Sequence, residues 1–148
     1  MQADYRNVCK IGRKTAGMTQ ERWAEALDIS VESVRLYETG KTMPGDDTVV
    51  RMIEITGLSV LGYWHLQNKS RMASAILPEV DTIPLPQAVI QLILRIRDFA
   101  EAHRTDQLMQ IAADGRIDAL EREEFDTIVS EMDGLVQAVM QLKYAEGE

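Results

Sequence analysis

The chain has 148 residues, 45% of them hydrophobic, with a formal net charge of -8 and a single cysteine. That size and apolar content suit one domain or two small ones around a buried core, which excludes a disordered chain. The lone Cys9 excludes an internal disulfide, and no apolar run reaches the ~18 residues that would span a bilayer. With neither a signal peptide nor a lipidation motif, the expected location is the cytoplasm, with no membrane association. Abundant Ala, Leu, Ile, Met, Glu and Gln with few aromatics predict an all-α fold.

The charge is uneven: residues 1–66 carry 8 Lys/Arg against 9 Asp/Glu, and residues 67–148 carry 8 against 15. The acidity therefore belongs to the C-terminal part. An acidic total does not exclude nucleic acid, because phosphate is bound by a local basic surface. It does argue against tight nonspecific binding.

In chain order, residues 1–68 predict five short helices. In the first, Tyr5, Cys9 and Ala16 share one face, while Arg6, Lys10 and Lys14 stack on a basic one. Gly17 ends it in the left-handed conformation. Thr19 is the N-cap of a second helix, about Gln20 to Leu27, with Arg22 rather than Glu at the third position. Its apolar stripe is Trp23, Ala24 and Leu27, and the small Ala24 lets another helix cross closely. Asp28, Ile29 and Ser30 make a turn. Ser30 caps a third helix with Val34 and Tyr37 inside and Glu32, Ser33, Arg35 and Leu36 outside, and Gly40 stops it. A fourth helix starts at Asp46 or Asp47 and runs through Ile55, and Ser59 is expected to cap a fifth containing Leu61 and Trp64.

These residues carry a resemblance. Arg13, Thr19-Gln20, Trp23-Ala24, Ile29-Ser30, Val34, Tyr37-Glu38, Gly40-Lys41 and Gly57-Leu58-Ser59 stand in the order found in the phage repressor/Cro-type (XRE-type) helix-turn-helix family, over roughly residues 5–66. The resemblance implies that double-stranded DNA is the partner and that the third helix enters the major groove, offering Val31, Glu32, Ser33, Arg35 and Leu36. It places Gln20 against a phosphate at a helix N-terminus and Lys41 and Thr42 on the backbone. It also implies a structural ion pair between Arg13 and Glu38. A basic rim of Arg6, Lys10, Lys14, Arg22, Arg35 and Lys41 would support DNA binding. Glu32 repels phosphate yet is able to accept from a cytosine amino group, and Val31 or Leu36 could meet a thymine methyl.

Residues 69–86 hold Pro78, Pro84 and Pro86 with little periodicity and predict an extended linker. Residues 87–148 predict three helices that form a dimerisation or interaction region, resembling the helical tails of small bacterial and prophage XRE-type regulators. The segment after Pro86 is apolar on more than one face: Val89, Leu92, Ile93, Ile96 and Ala100 on one, Ile90 and Leu94 on another. The last helix repeats apolar residues at heptad spacing. Val89, Ile93, Ile96, Phe125, Ile128, Met132, Leu135, Val139 and Leu142 are the expected dimer contacts, since a short regulator reading two half-sites needs a second copy. The acidic C-terminal region is also a candidate surface for a protein partner.

The stretch ADGRIDALE, Ala113 to Glu121, resembles the second half of a calcium loop, but Gln110 and Ala112 would stand at the first and third ligand positions, leaving too few carboxylates. Gly115 as a helix end and Asp118 with Glu121 as an acidic capping box explain the same residues. No metal, no cofactor and no catalytic residue is expected. His65 and His103 are far apart without a carboxylate pattern, and Cys9, Trp23 and Trp64 suit a core. The expected function is a homodimeric, sequence-specific transcriptional regulator reading a two-half-site operator. The alternative is a protein-interaction module on the same fold, such as an antirepressor or phage accessory protein.

Overall fold

The computed structural model describes residues 6–147. Among these the chain is all-α, with nine helices, and divides into two compact units, one ending at Leu77 and the other starting at Pro78.

The first unit holds α1 (Val8–Thr15), α2 (Gln20–Leu27), α3 (Val31–Glu38), α4 (Asp46–Thr56), α5 (Val60–Lys69) and α6 (Arg71–Ile76). Its early boundaries follow local capping chemistry. Thr19 Oγ1 accepts the Arg22 amide at 3.2 Å and Ser30 Oγ accepts the Ser33 amide at 3.0 Å, each satisfying a first-turn donor that no helical carbonyl reaches. Between α2 and α3, Asp28 takes the left-handed conformation (φ 56°), which a short polar side chain tolerates.

Helix α1 begins later than its sequence period predicts. Asn7 is the N-cap, its Oδ1 accepting the Lys10 amide at 2.9 Å, so Arg6 lies outside the helix. Tyr5, expected on the inner face, lies outside the described residues. Ser59 is also corrected. It precedes α5, but its backbone is already helical (φ -63°, ψ -24°) and its hydroxyl makes no capping bond, because capping needs an extended residue. Thr56 Oγ1 takes the Leu58 amide instead, at 3.2 Å.

Trp23, Val34, Met52 and Leu61 are fully buried, and Val8, Cys9, Ala24, Leu27, Val49, Val60 and Trp64 complete the core around them. Burying an indole removes roughly 150–250 Å² from water, worth about 4–6 kcal/mol at most. Gly12 makes room for it: a Cβ at that position would stand 3.0 Å from the Trp23 ring. Asp46 at the start of α4 is held by two residues of α5, accepting from Lys69 Nζ at 2.8 Å and from His65 Nε2 at 2.9 Å. Those bonds, Lys69's first, hold the Asp46 carboxyl below the usual range.

The extended linker expected over residues 69–86 is not extended throughout. Ser70 Oγ accepts the Ala73 amide at 3.3 Å and starts α6, which packs on α5. Six residues without proline were enough for the chain to turn once more before Pro78 stopped it.

The second unit holds α7 (Leu85–Glu101), α8 (Arg104–Ala112) and α9 (Arg122–Lys143). Pro84 and Pro86 flank the start of α7, where a missing amide donor costs nothing. Helices α7 and α9 pack antiparallel. Backbone bonds from Glu146 N–H to Ile83 O and from Leu85 N–H to Glu146 O, each 3.0 Å, tie the start of one to the end of the other. At those matching ends the buried residues are Ala88 and Ala138, whose small side chains permit close approach. Arg104 of α8 clamps Glu131 of α9 through two bonds of 2.9 and 2.7 Å.

This core is thin for its apolar content. Val80, Ala88, Ile111, Ile128 and Ala138 are buried, while Ile90, Ile93, Leu94 and Ile96 of α7 and Met132, Val136 and Val139 of α9 are 41–57% exposed. Ile128, expected as a dimer contact, is fully buried within the unit and is a core residue. Phe125, Leu135 and Leu142 are half-buried. The outward seam of α9 keeps Met132 and Val139 of the expected contacts and adds Val129 and Val136, at steps of three and four, because the packing against α7 turns Ile128 inward.

Candidate nucleic-acid interface

Helix α3 is anchored along one side and open along the other. Val34 points into the core, while Glu32 and Arg35 are exposed and Val31, Ser33, Leu36 and Tyr37 are half-buried. Its C-terminal end is tied down by polar bonds to α1. Arg13 Nε and Nη2 donate to the two oxygens of Glu38 at 2.5 and 3.2 Å, and Arg13 Nη1 reaches Met18 O at 3.1 Å. The pair is nearly closed to solvent, with side-chain exposures of 18% for Arg13 and 7% for Glu38. Burial alone pushes Glu38 up, but the hydrogen bonds from Arg13 and Gln20 outweigh it and hold the carboxyl below its ordinary range.

Gln20, expected against a phosphate, donates its Nε2 to Glu38 Oε2 at 2.9 Å. Its side chain thus braces α2 against α3 and belongs to the same network as the ion pair. Asn7, which the sequence pattern did not single out, is the further member. Its Nδ2 donates to Tyr37 O at 2.8 Å and Glu38 O at 3.1 Å, covering carbonyls at the end of α3 that have no helical partner. An asparagine just before a helical run is a recognisable N-cap signal. Its reach to α3 is set by tertiary structure.

The predicted basic rim is shorter than expected. Lys10, Lys14, Arg22, Arg35 and Lys41 are exposed, as is Thr42. Arg6 is drawn away: its guanidinium lies 4.6 Å above the Trp64 ring, and its carbonyl accepts from Asn68 Nδ2 at 2.7 Å. Arg35 has Glu32 one turn earlier, 3.7 Å away, in an exposed i,i+3 pair. Such a pair is weak, about 0–1 kcal/mol, so Arg35 is easily recruited by a stronger acceptor. Past α3, Gly40 (φ 75°) turns the chain so that Lys41 and Thr42 follow directly in the exposed loop.

Cys9 has no part in chemistry here. Burial raises its thiol to about 11, with the neighbouring Trp23 N–H only partly offsetting that effect, and a thiol so protonated is no nucleophile. In the second unit the calcium-like carboxylates serve the backbone. Asp114 Oδ1 accepts the Arg116 amide at 3.0 Å, Asp118 Oδ1 accepts the amides of Leu120 and Glu121, and Glu121 Oε2 accepts the Asp118 amide at 3.1 Å. That is a reciprocal capping box ahead of α9. Among the described residues no group of three His, Cys, Asp or Glu side chains is arranged to hold a metal, and no helix is long and apolar enough to cross a membrane.

Two helices joined by a tight turn, the second with a locked inner face and an open outer one, define a helix-turn-helix protein of the DNA-binding class. Residues 10–62 match the helix-turn-helix family model, so this part of the chain is an XRE-type DNA-binding helix-turn-helix domain. No curated protein and no solved structure matches the chain.

Proposed function

We propose that the chain is a homodimeric transcriptional regulator in the cytoplasm that reads a two-half-site operator, with α3 of each copy in the major groove. The carrying observation is the Asn7–Arg13–Gln20–Glu38 network. It spends four polar side chains on fixing α3 rigidly while leaving Arg35 exposed on its outer face and Lys41 and Thr42 exposed in the next loop. Preorganisation of that kind lowers the ordering cost of docking. In this reading Arg35 contacts base edges, Val31, Ser33 and Leu36 sit beside it, and Lys41, Thr42 and Arg22 meet the backbone. Gln20 contributes through its backbone amide at the α2 N-terminus.

The second copy is held by the outward apolar seams of α7 and α9, where Val89, Ile93, Ile96, Met132 and Val139 are joined by Ile90, Val129 and Val136. Residues 1–68 bind DNA, and residues 87–148 join the copies. Selecting bound fragments from the source genome tests the whole reading. The expected result is an enriched sequence with two inverted half-sites one helical turn, or a multiple of it, apart. Recovery of no enriched motif would favour a protein-interaction module acting through the acidic C-terminal region.

A further inference from the structure

The second unit contains a cleft that the DNA-binding reading does not use. Leu108, Ile111 and Ala112 of α8 form one wall, and Ile117 of the following turn and Phe125 in the first turns of α9 form the other, enclosing about 500 Å³. That volume falls within the roughly 300–1,000 Å³ typical of ligand clefts. The turn that lines the cleft is fixed by its own hydrogen bonds, with Gly115 at φ 74° and the Asp114 and Asp118 side chains tied to backbone amides.

Two arginines stand at its rim. Residues 78–148 hold six Lys/Arg against fifteen Asp/Glu, and two of those six cations, Arg116 and Arg122, line this one cleft. The Arg116 guanidinium has no ion pair among the described residues, although Asp114, Asp118 and Glu121 lie within five residues of it. One oxygen of each of these carboxylates accepts main-chain amides, and none of the three pairs with the guanidinium. Arg122 is only loosely held, 3.9 Å from Asp126 and 5.9 Å from the centre of the Phe125 ring. An apolar floor below an uncommitted cation in an acidic surround complements a ligand with an anionic head and an apolar tail.

We propose that this cleft binds a small amphipathic carboxylate, its tail against Leu108, Ile111 and Phe125 and its head on Arg116 with Arg122 beside it. Octanoate is the probe, titrated into the isotopically labelled full chain while backbone amide resonances are followed. Saturable shifts are expected at Gly115, Arg116, Ile117 and Phe125. Octanol and octylammonium, with the same tail, should bind about tenfold more weakly or less, since they lack the charge-assisted bond. Arg116→Gln, at an exposed position, should keep the thermal midpoint and lose about tenfold in octanoate affinity. Ile117→Ser tests the apolar wall separately and should weaken octanoate and octanol alike. The proposal is overturned if octanoate gives no saturable shift at millimolar concentration, if octylammonium binds equally well, or if the shifts fall on the outward seams of α7 and α9.

Discussion

Asn7 Nδ2 donates to the carbonyl of Tyr37 at 2.8 Å, so the residue that starts α1 also closes the end of α3. One side chain caps the start of one helix and the end of another. Asn7→Ala removes an N-cap and leaves the part-buried Glu38 carbonyl without its side-chain donor and the Tyr37 carbonyl with the Gly40 amide alone, at an expected cost of about 1–3 kcal/mol. Asn7→Asp keeps the cap but not the donors, so urea unfolding should place it between alanine and the parent.

The Glu38 carboxyl gives the first unit an acid-sensitive lock. Because its folded value lies below the unfolded one of roughly 4.3, the unfolded state takes up the proton first as pH falls. The stabilisation is full above that ordinary value and is lost as pH drops through the lower folded one. Glu38→Gln should be less stable than the parent at neutral pH, with a flatter stability profile below about pH 4.3. Equal slopes for the two proteins in denaturant titrations across that window would refute the lock.

Arg35 and Lys41 should separate reading from positioning. Arg35→Ala is expected to cost ~1–3 kcal/mol at the preferred operator and to flatten discrimination among base substitutions there. Lys41→Ala should weaken all duplexes alike and reduce the salt slope by roughly one unit, since about one fewer counterion is released. Glu32→Gln frees Arg35 from its 3.7 Å partner and removes a charge facing phosphate, so nonspecific binding should strengthen. Salt titrations on specific and scrambled duplexes read all three, and unchanged binding in the first two would remove α3 from the groove.

Ile128 and Val139 of α9 should behave oppositely. Val139 is 50% exposed and Ile128 is fully buried. Val139→Glu should leave helix content intact and turn the full chain from dimer to monomer in sedimentation at micromolar concentration. Ile128→Glu should instead unfold the second unit, because a charge buried without a partner costs several kcal/mol, on the order of 3–5. A parent chain that sediments as a monomer would end the dimer proposal.

Cys9 should be inert until the first unit opens. With its thiol pushed up to about 11, the thiolate is scarce at neutral pH and the sulfur is also shielded by burial. A disulfide exchange reagent should react at a rate that tracks unfolding in urea. The same shift makes the fold lose stability as pH climbs from the ordinary thiol value toward about 11, since only the unfolded chain ionises freely there. Rapid native-state labelling would contradict the buried placement.

By itself the sequence determined the helical class and the limits of α2 and α3. Thr19, Ser30, Gly17 and Gly40 act within three or four residues of themselves, and hydrogen bonds of such short range are formed by the local chain whatever packs around it. The Arg13–Glu38 pair was legible too, but only through resemblance. Tertiary structure decided the rest. Whether Ile128 or Val129 faces inward depends on how α9 rolls against α7, and a heptad pattern apolar on adjacent positions leaves that roll open. Arg6 could have joined the basic rim until Trp64 of α5 offered its ring, and Gln20 could have faced solvent until Glu38 came within 2.9 Å. Side chains that long find their partners only after distant segments meet, so their roles are set by packing and lie outside any local pattern.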